Sequence, residues 1–193
     1  MNILEVKGLT KKFGGLVANS NIDMSVERNS ITAVIGPNGA GKTTFFNMIT
    51  GVYKPTSGEI LLDGKTIAGL KPHVVAKQGI SRTFQNIRLF SDITVLENVM
   101  VGMHNHIKGS LVGTLLQLSK AKQEEEKAMK EAYRLLEYVG LADLLNEAAA
   151  NLSYGAQRRL EIARALATKP SVLLLDEPAA GMNPKETRLL TKR

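Results

Sequence analysis

Short apolar segments in the first part of the chain predict β structure. Ile22, Met24 and Val26 alternate with polar residues, which is the period of a half-buried strand. Residues 31–35 (ITAVI) form a continuous apolar run that ends at Gly36, as in a buried parallel strand. We therefore expect the first 35 residues to be mainly β structure.

Local signals predict two further elements before residue 65. A helix is expected over residues 42–50, with Gly51 placed to end it. Residues 59–62 are followed by Asp63 and Gly64, which predicts one arm of a hairpin.

From Thr94 onward the spacing of apolar residues becomes helical. Thr94 and Glu97 have the spacing of a capping box at a helix start. A second helix is expected over residues 119–139 and a third over residues 151–168. Residues 172–175 (VLLL) then predict a buried strand. The expected apolar face of the second helix consists of Met129, Ala132, Leu136 and Val139.

Composition narrows the class of protein without deciding its function. The 193 residues are 44% hydrophobic and 22% charged, which is typical of a globular domain with its own core. The sequence has no cysteine, so disulfides are excluded, and it has neither a membrane-spanning run nor the pattern of a secretory signal. The net charge of +7 leaves two interpretations, a solvated basic surface or a nucleic-acid partner. Because the basic residues are scattered, we favour the solvated surface.

Residues 36–43 (GPNGAGKT) match the G-x-x-x-x-G-K-[ST] pattern of a phosphate-binding loop between a strand and a helix. Glycines let backbone N–H groups surround phosphate oxygens, and the following helix adds its positive end. In this pattern a lysine contacts the β- and γ-phosphates, and a hydroxyl ligates Mg²⁺. A glycine-rich turn that binds nothing is the alternative. The candidate ATP-binding residues are Gly36, Asn38, Gly39, Gly41, Lys42, Thr43 and Thr44, with Thr43 also a candidate Mg²⁺ ligand.

Two consecutive carboxylates follow the predicted strand at residues 172–175. A carboxylate at a strand end can hold Mg²⁺ through its water shell, and a second can activate the attacking water. We assign Asp176 to the metal and Glu177 to the general base. The alternative is an ordinary acidic turn after a strand.

Residues 152–159 (LSYGAQRR) resemble the signature of ABC ATPases, usually Leu-Ser-Gly-Gly-Gln. The resemblance implies that Ser153 and Gly155 bind the ATP held by a second subunit, because a hydroxyl and a glycine N–H at a helix start form an anion site. Tyr154 and Ala156 depart from the usual glycine and glutamine.

The same resemblance implies further site residues. Gln85 occupies the position of the family's Q-loop glutamine, which reaches Mg²⁺ and water and marks the contact with the membrane subunit. Phe13 lies where an aromatic ring stacks on adenine, although a core position is the alternative. Asn183 replaces the more usual aspartate of the D-loop. The three histidines lie in no catalytic spacing and are expected at the surface: His73, His104 and His106.

The fold implied by the resemblance is an α/β P-loop NTPase core with an N-terminal antiparallel β subdomain and an inserted helical subdomain. Residues 1–193 would form a single ATP-binding domain. Within it we expect a β subdomain with the P-loop core (1–85), a helical insert with the signature (86–160) and a second core half (161–193).

Within ABC ATPases the chain is most similar to the ATP-binding subunits of bacterial branched-chain amino acid importers. Residues 81–90 (SRTFQNIRLF), 152–161 and 179–184 carry this similarity. It implies ATP and Mg²⁺ as cofactors and a homo- or heterodimer with a second ABC ATPase subunit. It also implies integral membrane permease subunits, an extracytoplasmic substrate-binding protein, no nucleic acid, and a peripheral place at the cytoplasmic face of the inner membrane. The alternatives are a soluble ABC ATPase of DNA repair or translation, and a fragment that binds nucleotide without hydrolysing it.

One family motif has no counterpart in the sequence. ABC ATPases carry a switch histidine on the strand after the acidic pair, and no histidine follows His106. We therefore expect a C-terminally truncated chain whose last core strands are missing, and poor ATP hydrolysis by these 193 residues.

Overall fold

A computed structural model describes residues 1–83, 87–103, 118–178 and 180 of the chain. The chain divides into two compact units, Met1–Ser81 and Arg82–Arg193. Each unit has its own secondary structure. Among the helices of the described residues, none has the combination of length and apolar character that a membrane span requires.

The first unit is built on a four-stranded antiparallel sheet with the order β2-β1-β3-β4. Leu4, Val6 and Leu9 of β1 are almost fully buried, so one face of the central strand is covered. In β2, Ile22, Met24 and Val26 are half-buried and alternate with exposed residues, as the sequence predicts. The strands are β1 (Asn2–Phe13), β2 (Leu16–Glu27), β3 (Ser57–Leu62) and β4 (Lys65–Thr66).

The turn between β3 and β4 confirms the predicted hairpin. Asp63 and Gly64 have φ angles of 49° and 73°, and positive values at both central residues match the twist of the flanking strands. The two short helices of this unit are α1 (Lys42–Ile49) and α2 (Pro72–Lys77), and β5 (Ile80–Arg82) follows. α1 ends within one residue of its predicted end.

The predicted buried strand at residues 31–35 is wrong. None of the described strands includes this run, and Ile31 and Ile35 are 101% and 92% exposed. An apolar run favours a strand, but a strand forms only where neighbouring chain supplies hydrogen-bond partners. In the described sheets, no strand pairs with residues 31–35.

The second unit is mainly helical. The capping box predicted from Thr94 and Glu97 is present: the Thr94 hydroxyl accepts from the Glu97 N–H, and the Glu97 carboxylate accepts from the Thr94 N–H. Leu118–Val139 confirms the predicted long helix. The elements are α3 (Val95–Gly102), α4 (Leu118–Val139), 3-10 turns at Ala142–Leu144 and Ala149–Asn151, α5 (Tyr154–Ala167) and β6 (Val172–Leu174).

Helices α3, α4 and α5 share one hydrophobic core. Ala132, Leu136 and Val139 of α4 are buried as predicted, but Met129 is 38% exposed and Ala128 is buried in its place. Near the middle of this helix the buried stripe therefore passes one position earlier than predicted. This shift follows the 3.6-residue period, which places residues 128, 132 and 136 in line.

Two predicted ends in this unit also need correction. The helix expected over residues 151–168 begins only at Tyr154, because Ser153 caps it and a 3-10 turn precedes it. Leu175 lies beyond β6 and is 36% exposed, so the strand is shorter than predicted, and of its three residues only Leu174 is buried while Val172 and Leu173 are half-buried. Within this unit, the Thr83 N–H donates to the Leu174 carbonyl of β6 at 3.0 Å.

Candidate functional site

The loop before α1 has the backbone of an anion cradle. Gly39 and Gly41 have φ angles of 84° and 85°, in the left-handed region that favours glycine. A Cβ on Gly41 would lie 2.5 Å from the Ala18 carbonyl oxygen, so a larger residue is excluded there by contact as well as by conformation. α1 has no side-chain cap and no acidic residue in its first turn. Its first N–H groups and its positive end are therefore suited to an anionic ligand.

Lys42 places its ammonium group inside this loop. Its Nζ donates to the carbonyl oxygens of Gly36 at 2.7 Å and Pro37 at 2.9 Å. The loop is tied to β2 because Asn19 Nδ2 donates to the Gly41 carbonyl at 3.3 Å. The loop thus gathers one positive side chain with the N–H groups of the helix start, which is the charge distribution that a polyphosphate requires.

Phe13 lies at the surface of the first unit and is 41% exposed. Its ring packs edge-to-face on Tyr53 with the ring centroids 5.3 Å apart. Lys11 Nζ lies 4.9 Å from the Phe13 centroid and donates to the Lys54 carbonyl at 2.8 Å. The core alternative for Phe13 does not fit this exposure, whereas an aromatic platform for a flat ligand does.

The signature segment forms the N-terminus of α5. Ser153 is the N-cap, and its Oγ accepts from the Ala156 N–H at 3.3 Å. Gly155 and Ala156 are buried, while Tyr154 is 44% exposed. The Ser153 side chain is exposed beside a helix N-terminus, which suits it to donate its hydroxyl proton to an anion.

The two acidic residues follow β6 as predicted, and an arginine faces the first of them. Asp176 Oδ2 accepts from Arg82 Nη2 at 2.7 Å, with the two side chains 14% and 5% exposed. Glu177 is exposed and has a φ angle of 47°. Left-handed backbone is unusual for glutamate, and such conformations concentrate at functional sites.

A second arginine contacts the main chain of the same turn. Arg158 Nη2 donates to the carbonyl oxygens of Asp176 at 2.5 Å and Glu177 at 3.1 Å. Sequence reasoning did not single out Arg82 or Arg158. For Arg158 a signal was available, because Arg158 and Glu161 have the i,i+3 spacing of an ion pair among the alanines and leucines of α5.

Within each unit, the oxygen donors at the site suit a Mg²⁺ ion that phosphate and water also hold. No group of three histidine, cysteine, aspartate or glutamate side chains clusters among the residues that the structure describes. Mg²⁺ in phosphate sites usually takes one or two protein oxygens and completes its shell with phosphate and water. In the first unit the exposed Thr43 hydroxyl is an oxygen donor of this kind, and in the second unit the Asp176 carboxylate is another.

Comparison with known proteins assigns these features to a family. The sequence profile of the ABC transporter family matches residues 19–180, which is most of the chain. The chain belongs to the ABC transporter family. Among relatives of this ABC protein is BraF of Pseudomonas aeruginosa, a high-affinity branched-chain amino acid transport ATP-binding protein. It is 50% identical over 185 residues, which cover 96% of this chain and 72% of BraF.

A second relative and a solved structure agree with that assignment. LivG of Escherichia coli K12, which carries the same description as BraF, is 48% identical over 97% of this chain and 74% of its own length. The dimeric post-hydrolysis structure of an ATP-binding cassette bound to ADP and Pi has a TM-score of 0.79 and 28% identity. The match covers 98% of this chain and 80% of the chain of that cassette. The fold expected from the resemblance, an α/β ABC ATPase cassette, is confirmed.

The structure of this ABC protein brings some predicted site residues together. The P-loop residues converge around the start of α1. Ser153 and Gly155 share the first turn of α5, and Asp176 and Glu177 share one turn after β6. Among the remaining predictions, Gln85, Asn183, His104 and His106 lie outside the described residues, while His73 is exposed as expected.

Proposed function

We propose that this chain is the ATP-binding and ATP-hydrolysing subunit that powers an ABC importer for branched-chain amino acids. The observation that carries the proposal is the 50% identity with BraF over 96% of the chain. The supporting geometry is an anion cradle at the start of α1 and an acidic turn after β6. The cassette supplies energy, and the amino acid itself would bind to other subunits.

In the P-loop, the backbone N–H groups from Gly36 to Gly41 and the side chain of Asn38 would surround the phosphates of ATP. Lys42 would leave its carbonyl partners to contact the β- and γ-phosphates, since an ammonium binds phosphate more strongly than a neutral carbonyl. Thr44 would donate a further hydrogen bond. In the same unit Phe13 would stack on adenine, with its ring fixed by Tyr53 and Lys11.

For hydrolysis, Glu177 would accept the proton of the attacking water, because its side chain is exposed, whereas the carboxylate of Asp176 is engaged in a buried ion pair. Thr43, Asp176 and Gln85 would hold Mg²⁺ directly or through water, and Gln85 would also orient the attacking water. Mg²⁺ supplies neutralisation of the charge that develops on the transferred phosphoryl group. In this proposal, different residues of one chain bind ATP, ligate Mg²⁺ and transfer the proton.

Two subunits would bind two ATP molecules head to tail, with Ser153 and Gly155 of each subunit contacting the ATP on the P-loop of the other. The dimeric post-hydrolysis cassette supports an arrangement of this kind. The further partners proposed are a related ATPase subunit or a second copy, two permease subunits and an extracytoplasmic binding protein. The chain would lie peripherally at the cytoplasmic face of the membrane.

The test is reconstitution of the chain with its candidate permease in lipid vesicles. We expect Mg²⁺-dependent ATP hydrolysis that is stimulated by leucine, isoleucine or valine together with the binding protein. Lys42→Ala should abolish nucleotide binding. Glu177→Gln should retain binding and lose about 10²- to 10⁴-fold in turnover, the usual contribution of a general base.

Lys12→Ala is the matched control, since Lys12 is an exposed lysine of the same unit. Two results contradict the proposal. One is uptake of a different class of solute in place of branched-chain amino acids, and the other is ATP turnover that Glu177→Gln leaves unchanged.

A second candidate function is nucleotide binding without turnover. The exposed run at residues 31–35 favours it, because the strand that should support the P-loop has no pairing partner in the described sheets. Measurement of nucleotide affinity beside turnover on the 193-residue chain distinguishes the two. Binding with normal Mg²⁺-dependent turnover excludes this candidate.

A further inference from the structure

Arg158 is the largest fully buried side chain among the described residues, with 0% exposure. Burial of a guanidinium is strongly unfavourable unless its N–H groups and its charge are satisfied. Most of its buried neighbours along α5 are apolar, including Leu160, Ile162 and Ala163. An apolar residue at this position could not make the hydrogen bonds and the ion pair that Arg158 makes.

The guanidinium of Arg158 joins α5 to the turn that carries the acidic pair. Nη1 donates to Glu161 Oε2 at 2.8 Å, in an ion pair one turn along the same helix. Nη2 donates to two consecutive carbonyl oxygens, those of Asp176 and Glu177. Glu161 thus orients the fork from one side, and the other side holds the main chain of the acidic turn.

The conformation of that turn explains why it needs such a contact. Glu177 has left-handed backbone, which is disfavoured for a residue with a Cβ atom. Its carbonyl accepts from Arg158 and also from the Ala180 N–H at 3.0 Å. These hydrogen bonds favour a backbone conformation that glutamate would otherwise rarely adopt, and the backbone sets the direction of the Glu177 side chain.

We propose that Arg158 is a positioning residue that couples the signature end of α5 to Asp176 and Glu177 of the same subunit. Ser153 caps this helix, and Arg158 lies about 7.5 Å farther along its axis at 1.5 Å per residue. When Ser153 and Gly155 engage the ATP of a partner subunit, a displacement of α5 moves the guanidinium and the two carbonyls that it holds. The general base of a subunit is thereby aligned only when its partner subunit has bound ATP. The proposal rests on the proposed function, because it requires Glu177 to act in hydrolysis.

Arg158→Lys tests this with a matched neighbour. Lysine keeps the charge, but its single ammonium cannot reproduce the fork that reaches Glu161 and both carbonyls. Arg159→Lys is the control: Arg159 Nη1 also donates to two carbonyl oxygens, those of Val139 and Gly140, each at 2.9 Å. Both variants therefore remove an arginine that binds main-chain carbonyls from the same helix.

The variants are compared in the reconstituted complex and by hydrogen exchange of the full chain. For Arg158→Lys we expect kcat to fall about 10- to 100-fold, because a misplaced catalytic group is costly while substrate affinity stays within about 2-fold. We also expect a Hill coefficient for ATP closer to one and faster amide exchange in residues 172–178. Arg159→Lys should retain kcat and instead speed exchange around residues 139–140.

Two further results make the outcome decisive. Glu161→Gln keeps Arg158 and removes only the carboxylate that orients it, so it should lower kcat in the same direction by a smaller factor, even where Arg158→Lys does not fold. Unchanged kcat and unchanged exchange over residues 172–178 in Arg158→Lys overturn the proposal, as does an equal loss of kcat in Arg159→Lys. If the wild type shows no turnover, the proposed function fails, and exchange over residues 172–178 alone decides whether Arg158 holds the turn.

Discussion

The ion pair between Arg82 and Asp176 gives a quantitative prediction for the stability of the second unit. Arg82→Met keeps the length of the side chain and removes its charge, which leaves a carboxylate that is 14% exposed without this partner. At the Nη2–Oδ2 distance of 2.7 Å, the attraction is about 6 kcal/mol for an effective dielectric constant of about 20. Desolvation of both groups offsets part of it. Removal of one partner of such a pair is therefore expected to lower the free energy of unfolding by about 3–5 kcal/mol.

The assay is urea unfolding at neutral pH, followed by far-ultraviolet circular dichroism, for the wild type, Arg82→Met, Asp176→Asn and the double variant. The double variant should be more stable than the sum of the two single losses predicts, because it removes both charges together. Arg134→Met is the control, since Arg134 and Glu131 form an exposed pair at 3.8 Å. That substitution should change the free energy of unfolding by at most about 1 kcal/mol.

Two results would refute this reasoning. One is a loss below about 1 kcal/mol for Arg82→Met, which is the magnitude of an exposed pair. The other is additivity of the two single substitutions within about 0.5 kcal/mol, which would show that the two side chains do not interact energetically.

Three more tests, two of them with a control substitution, concern separate features of the fold and the site. Hydrogen bonds from the Thr94 backbone and side chain lower the pKa of Glu97 below its ordinary value of 4.5, so its ionised form stabilises α3 at neutral pH. The stability difference between the wild type and Glu97→Gln should then vanish as the pH falls below 4.5 through the pKa of the folded state, as measured by unfolding at several pH values. Leu136→Ala should lower the free energy of unfolding by about 2–5 kcal/mol, because Leu136 is fully buried, whereas Leu144→Ala, at 37% exposure, should cost much less. Gly41→Ala should weaken ATP binding and destabilise the chain, because it combines left-handed strain of about 1–2 kcal/mol with a contact at the Ala18 carbonyl. Gly14→Ala meets no atom within 4 Å and should show the strain alone, with ATP affinity unchanged.

The features that the sequence predicted correctly depend on short-range chemistry. The capping box at Thr94 and Glu97 and the turn at Asp63 and Gly64 are satisfied within four residues, so no distant partner can overrule them. The P-loop start of α1 is also local, since its glycines act through their own backbone and Lys42 Nζ contacts carbonyls only five and six residues away. These parts of the candidate site can therefore be placed from the amino-acid sequence alone.

The features that the sequence did not predict depend on partners far along the chain. Residues 31–35 have the composition of a buried strand, but their exposure is decided by whether another strand lies beside them. Arg82 and Asp176 are 94 residues apart, and Arg158 lies 18 residues before the carbonyl of Asp176. No spacing rule connects such residues, and only the folded chain shows that two arginines hold the acidic turn.

The exposed run at residues 31–35 has a consequence for how the protein behaves in concentrated solution. It is apolar chain that carries no charge and takes no part in the described sheets, and such segments recruit strands from other molecules. Because it directly precedes the phosphate-binding loop, self-association there would bury the approach to Gly36. Loss of nucleotide binding on storage would then reflect intermolecular strand pairing, with both folded units still intact.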